Sequence, residues 1–197
     1  MLKKGAIADM EKRGIEWIFI GSVDNILLKL VDSLLLGLTV SEGNQIGTRT
    51  VLKRDPEERV GVLCKQNNKI KVIEYTELPK EIACIKDDEG ELVFGESHIM
   101  CNLFSLDAIK RASTKELEYH IAFKRADYLN ENGEFIKVDK PNAYKFEKFI
   151  FDSFKLFDNI SILRGKREED FAPVKNMTGE DSPETAKKLY ENYWKKA

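Results

Sequence analysis

A carboxylate at the exit of a buried strand is the first residue of this 197-residue chain with a chemical use. Trp17-Ile18-Phe19-Ile20-Gly21-Ser22-Val23 runs straight into Asp24-Asn25, and open α/β sheets gather ligands and metals at such strand ends. Asp24 offers Mg²⁺ a hard oxygen ligand. It equally offers a cap to the free N–H groups of a following helix. Both roles need an ionised carboxylate. Glu74 is the second candidate: along its strand it shares a face with Ile70 and Val72, so alternation aims it to the apolar side of the sheet. A carboxylate in a cleft needs partners, and sugar hydroxyls suit it; at the end of the strand it is simply solvated. His98 and His120 are the only two histidines. No Ser/His/Asp or Cys/His spacing forms around them, so hydrogen-bonded structural roles are the default. Phe149 and Phe151 can wall a pocket, and Lys175, beside Pro173 and Asn176, can meet a phosphate.

The elements that must position these groups are read from periodicity. Leu2–Arg13 is amphipathic and stops at Gly14, as a helix ending on a left-handed glycine does. After the strand at 17–23, residues Asn25–Leu36 read as a helix capped by Asp24 and closed near Gly37. Period-two patterns follow at Thr48–Lys53, Val60–Lys65 and Lys69–Tyr75, with Gln66-Asn67-Asn68 turning a hairpin. Leu92–Phe94 and Ile99–Phe104 read as further strands, Ser105 leads into a short helix through Ala112, and Asn132-Gly133 marks a tight turn. Phe146, Phe149, Ile150, Ser153, Phe154 and Phe157 fall on one helical stripe over Tyr144–Phe157, with Phe151 off it. Ile160–Leu163 is a buried strand. A last helix starts at Asp181 or Ser182 with Pro183 in its first turn, and presents Ala186, Leu189, Tyr190, Tyr193 and Trp194 on a face that must dock.

Composition narrows the function classes. With 32 basic against 34 acidic residues the formal charge is -2, so neither nucleic acid nor an anionic membrane is a natural partner. Cys64, Cys84 and Cys101 are odd in number and lack CxxC pairing, which argues against a disulfide framework or zinc site and for a reducing cytoplasm. Ile26–Leu38 is broken by Lys29, Asp32 and Ser33, so no stretch reaches membrane-spanning length. The chain is expected to be one soluble α/β domain over residues 1–197. It carries no Gly-rich turn between a strand and a helix to cradle phosphates.

Several segments, taken in order, carry a resemblance. They are Met10-Glu11-Lys12-Arg13-Gly14-Ile15-Glu16, Val23-Asp24-Asn25, Gly61-Val62 with Glu74-Tyr75-Thr76-Glu77, Asp139-Lys140-Pro141-Asn142, Lys145 through Asp152, and Phe171-Ala172-Pro173-Val174-Lys175-Asn176. The ordered set resembles the UDP-N-acetylglucosamine pyrophosphorylase family, the eukaryotic-type UDP-sugar uridylyltransferases, over nearly the whole chain. The resemblance implies a Rossmann-like nucleotidyltransferase core with a mixed central sheet. It implies a reaction of UTP with a sugar 1-phosphate, giving UDP-sugar and pyrophosphate. By resemblance Asp24 ligates Mg²⁺, Glu74 holds sugar hydroxyls, Phe149 and Phe151 line the N-acetyl side of the sugar pocket, and Lys175 neutralises phosphate charge. Such in-line displacement needs no side-chain nucleophile.

Two departures accompany it. His98 stands where the family usually has an asparagine that contacts the sugar. The family's Gly-rich phosphate loop and uracil-binding segments belong to a region that would precede Met1, so the N-terminal part of the core is expected to be missing. Strand edges and apolar faces should then be exposed, inviting self-association or a separate N-terminal half. The readings that follow are a catalytic portion of a uridylyltransferase, or a non-catalytic sugar-phosphate-binding or assembly subunit.

Overall fold

The computed structural model of the chain describes residues 4–196; Leu2 and Lys3, where the first helix was expected to begin, lie outside that range. Helix α1 covers Ala6–Lys12 and stops where the sequence says it must. Gly14 takes φ +67°, its N–H bonds to the Glu11 carbonyl, and the Ile15 N–H bonds to that of Met10, both at 3.0 Å. A side chain at this position would be strained.

Strand β1 (Trp17–Gly21) follows, but the next helix does not start at Asn25. Helix α2 is Ser33–Ser41, and its cap is Asp32, whose carboxylate accepts from the amides of Leu34 and Leu35 at 3.1 Å. Asp24 caps nothing, and Gly37 lies inside the helix. The physical reason is tertiary: the polar groups of Asn25 are committed to a distant loop, described below, so residues 25–31 run irregularly. Local capping propensity lost to long-range hydrogen bonds.

The central sheet is built on β5 (Glu96–Ser105). Strand β2 (Ile46–Leu52) runs along one side of it, with β10 (Ser161–Arg164) parallel to β2 beyond. On the other side two strands succeed each other. β1 pairs with Cys101–Ser105, then β3 (Val62–Gln66) takes over at Ser97 and pairs in turn with β4 (Lys69–Ile73). All pairings but β10–β2 are antiparallel, so the sheet is mixed as expected. Asn67 and Asn68 both adopt left-handed φ, 50° and 60°, to turn the β3–β4 hairpin.

Two expected elements are absent. Leu92–Phe94 forms no strand; Leu92 makes a single bridge to Lys86, because the Asp87 carboxylate gathers the amides of Glu89 and Glu91 into a turn. Tyr144–Phe157 is not one helix either. Its first part is β9 (Ala143–Glu147), paired with β6 (His120–Lys124) in a ribbon, and Phe149 is extended at φ -108° before a 3-10 helix at Ile150–Leu156. The stripe mixed two environments: Phe146 is exposed in the ribbon, whereas Phe151, Phe154 and Phe157 are buried. Aromatic residues spaced three and four apart fit a strand followed by a turn as well as a helix. The Asn132-Gly133 turn joins two short strands, β7 (Tyr128–Leu129) and β8 (Phe135–Ile136).

The main core lies on one face of the sheet, where α1, α4 (Leu106–Ser113) and the 3-10 helix bury Ile7, Ile109, Phe104, Phe154 and Phe157 against Ile46, Leu63 and Val72. Ser105 caps α4 through its side chain, as its type and position predict; α3 (Lys80–Ala83) and α5 (Arg167–Asp170) are single turns. On the opposite face Val51, Ile99, Cys101 and Phe171 form a second layer, continued by Leu27, Ala172 and Ala186. Helix α6 (Pro183–Lys196) docks there with Ala186, Leu189 and Tyr193. Tyr190 and Trp194, expected to dock as well, stay exposed, so the apolar face of α6 is narrower than its sequence suggests. No helix among the described residues is long and apolar enough to cross a membrane.

Candidate functional site

The site lies where the sheet is interrupted. Between the end of β1 and the start of β3, β5 has no strand on that side; there it bulges, with Met100 at φ 49° and a register shift against β2 at Arg49/Thr50. The Met100 carbonyl accepts from Ser22 N–H and His98 N–H donates to the Gly61 carbonyl, each at 2.9 Å. These two bonds hold the lips of a cavity of about 160 Å³ whose walls include Asp24, Glu74, His98 and Lys175, with Arg59 and Phe171. Four of the residues singled out by sequence therefore converge, from positions 24 to 175.

Asn25, read in the sequence as the start of a helix and as part of the Val23-Asp24-Asn25 motif, is the fastener. It is buried; its Nδ2 donates to the Asp170 carbonyl at 2.8 Å, and its Oδ1 accepts from Ala172 N–H at 2.9 Å and Leu27 N–H at 3.2 Å. The Asp24 carbonyl accepts from Val174 N–H at 2.8 Å. Together these bonds zip the end of β1 to the Phe171–Lys175 loop and so place Asp24 beside Lys175. The Lys175 ammonium sits 5.5 Å over the Phe171 ring and donates to the Arg59 carbonyl at 3.5 Å.

One oxygen of the Asp24 carboxylate accepts from the Ser22 hydroxyl. No group of three or more His, Cys, Asp or Glu among the described residues forms a metal cage. A single carboxylate with a neighbouring hydroxyl is nonetheless a donor set that suits Mg²⁺, which keeps waters and completes its shell with substrate phosphates. The residues fit the ion in that mode and no other.

Glu74 is the first residue past β4 and is only partly exposed. Burial first, then the Glu77 carboxylate, raises its pKa; His120 partly offsets them. Gly61 lies directly beneath it: a Cβ there would come within 2.9 Å of Glu74 Oε1 and of Val72 Cγ1. Glycine is what lets the backbone pass under the carboxylate.

His98 is buried, with Nε2 against Asn102 Oδ1 at 2.9 Å and the edges of Phe151 and Phe154 packed at 5.1 and 5.8 Å. Burial drives its pKa down to about 4, against a smaller opposing pull from Asn102. The ring is neutral in the physiological range. A depressed histidine pKa means that the unfolded chain binds more protons between about pH 6.5 and pH 4. Stability is therefore complete above that window and falls by about 3 kcal/mol across it. Melting wild type and His98→Asn from pH 7 to pH 4 should show the variant losing less; parallel curves would refute the assignment.

Phe149 and Phe151 stack at 4.7 Å and 14°, but neither borders the Asp24 cavity. Phe151 packs edge-on with His98 at 5.1 Å, and Phe149 faces His120 at 4.9 Å. His120 contacts Glu77 Oε1 through Nδ1 at 3.1 Å and Asp152 Oδ2 through Nε2 at 3.0 Å, tying the β6–β9 ribbon to the body next to Glu74. Both histidines are thus hydrogen-bonded in place.

A family model described as UTP–glucose-1-phosphate uridylyltransferase matches residues 1–181. The chain belongs to that family. Among its relatives are the human UDP-N-acetylhexosamine pyrophosphorylase-like protein 1, 39% identical over 92% of this chain, and the UDP-N-acetylglucosamine pyrophosphorylase of Saccharomyces cerevisiae, 35% identical over 92%. The solved UDP-N-acetylglucosamine pyrophosphorylase of Trypanosoma brucei superposes with a TM-score of 0.79 at 31% identity, over 93% of this chain. The chain spans 37%, 40% and 36% of the lengths of these three proteins. The nucleotidyltransferase fold and the enzyme family inferred from the ordered motifs are both borne out.

Proposed function

We propose that this chain supplies the sugar-phosphate side of a UDP-sugar uridylyltransferase, joining UTP and N-acetylglucosamine 1-phosphate, or a hexose 1-phosphate, into UDP-sugar and pyrophosphate. The observation that carries the reading is the single cavity into which Asp24, Glu74, His98 and Lys175 converge.

In this reading an oxygen of the sugar phosphate attacks the α-phosphorus of UTP; the new P–O bond forms as the bond to pyrophosphate breaks, in line. No side chain becomes covalently attached. Glu74 accepts hydrogen bonds from sugar hydroxyls, and His98 stays neutral. Lys175 compensates negative charge on phosphate and is held there by the loop that Asn25 fastens. Mg²⁺ would be held by Asp24 and, when bound, supplies further charge neutralisation to phosphate oxygens.

In this reading the uridine and the Gly-rich phosphate loop are supplied by a further portion of the catalytic unit, on the same or another polypeptide. Support for an associating partner comes from the segment leading away from the site, where Val23, Leu30, Val31 and Leu34 are all strongly exposed. The chain should release pyrophosphate from UTP, N-acetylglucosamine 1-phosphate and Mg²⁺ once mixed with a polypeptide carrying that loop. Glu74→Gln should weaken the sugar phosphate about tenfold, the worth of a charge-assisted hydrogen bond, with pyrophosphate itself unaffected. Binding of sugar 1-phosphate with no turnover in any mixture would instead identify a sugar-phosphate-binding subunit. Absence of sugar-phosphate binding would end the proposal.

A further inference from the structure

A charge count of the cavity exposes a cation with no role so far. Asp24 and Glu74 bring two carboxylates to its walls, and Lys175 brings one ammonium. Even with the Mg²⁺ proposed at Asp24 these groups sum to one net positive charge, half of what a phosphate dianion carries, so a further cation would complete the neutralisation. Arg59 is that cation. It borders the same cavity, and its guanidinium makes no hydrogen bond or ion pair with any described residue; only its backbone carbonyl is used, by Lys175. The neighbouring carboxylate that would be its natural partner, Glu58, is buried and taken: Arg167 and Arg54 both pair with it.

The backbone beneath Arg59 is fixed although its side chain is exposed. Glu58 accepts from the Arg54 amide at 2.8 Å, Val60 N–H donates to the Glu58 carbonyl at 3.0 Å, and Val60 and Gly61 are buried. A guanidinium on a clamped stem, bordering the same small cavity as the Lys175 ammonium, is available to a tetrahedral oxyanion. Its planar fork grips two phosphate oxygens at once, which an ammonium does not do.

We propose that Arg59 is a second phosphate-binding side chain of this site, gripping the sugar phosphate together with Lys175. The inference rests on the sugar-phosphate reading above and adds a residue to it. The same arginine also borders a second cavity, of about 380 Å³, that Lys53 and Lys80 share. Lys80 therefore provides a control for a mere change of local field.

Calorimetry on the chain tests this with three probes: N-acetylglucosamine 1-phosphate, inorganic phosphate and unphosphorylated N-acetylglucosamine. Arg59→Ala should weaken both phosphate-bearing probes about tenfold or more and leave the neutral sugar unchanged, and Arg59→Lys should restore part of the loss. Lys80→Ala should bind all three as wild type does. Arg59 is exposed, so its variants should melt with wild type. Unaltered phosphate binding by Arg59→Ala, an equal loss in Lys80→Ala, or no phosphate binding by wild type overturns the inference. Arg59-dependent binding of inorganic phosphate with no preference for the sugar phosphate keeps Arg59 as a phosphate ligand and overturns the sugar reading instead.

Discussion

Arg49→Leu should cost this fold about 3–5 kcal/mol, the usual consequence of leaving buried carboxylates without their cation. Arg49 is buried in β2; its Nε pairs with Asp32 and its Nη1 lies 3.1 Å from Asp170 Oδ1, with Lys29 a further 2.9 Å partner of Asp170. Burial alone would raise the Asp32 pKa. The Arg49 hydrogen bond and charge, with the amides of Leu35 and Leu34, outweigh it and hold that pKa below its ordinary value of 3.8. A lowered carboxylate pKa contributes stability that is present in full above the unfolded value and lost as pH falls through the folded one. Wild type should accordingly lose this contribution only below about pH 4, whereas the variant lacks it at every pH. Against a total of about 5–15 kcal/mol for a domain, denaturant melts at pH 7 should show a large drop in midpoint. A loss under about 1 kcal/mol would mean that the network holds nothing together.

This network explains why the loop of the site is where it is. Asp32 ends the irregular segment that starts at Asp24, and Asp170 presents its backbone carbonyl to Asn25 and its carboxylate to Arg49. Destabilising Arg49 therefore loosens the same two segments that carry Asp24 and Lys175, and sugar-phosphate affinity should fall with stability.

What was legible in the sequence divides along a physical line. Features fixed by neighbours in the chain could be read directly: the left-handed Gly14, the Asn67-Asn68 turn and the Ser105 cap. Features settled by distant partners could not. Asp24 and Asp32 have the same capping chemistry, and only the engagement of Asn25 with Asp170 and Ala172, some 145 residues away, decides that Asp32 caps the helix. The meeting of Asp24 with Lys175 left no periodic trace; only the ordered motif resemblance brought them together. Phe146 and Phe154 matched one helical stripe because periodicity carries no record of the ribbon that β6 offers to β9. Arg59 had no signal at all, since its meaning depends on which neighbouring carboxylates are already paired.

The second large effect separates the two original roles of Asp24. If that carboxylate were a helix cap, Asp24→Asn would be nearly silent, because asparagine caps as well as aspartate, and Asp24→Ala would cost about 1 kcal/mol of stability. The structure gives the cap to Asp32, so both variants should melt with wild type. Their losses should appear in ligand chemistry instead. Removing the proposed Mg²⁺ ligand should abolish the Mg²⁺-dependent gain in sugar-phosphate affinity and lower pyrophosphate release about a thousandfold, which corresponds to about 4 kcal/mol of charge stabilisation. Binding measured with and without Mg²⁺ reads the first effect on the chain itself, and turnover with a partner carrying the nucleotide loop reads the second. Asparagine keeps the size of the side chain and an acceptor for the Ser22 hydroxyl, so a defect in Asp24→Asn isolates the lost charge. If Mg²⁺ tightens sugar-phosphate binding equally in Asp24→Asn and wild type, the ion is held elsewhere and Asp24 is only a neighbour of the cavity.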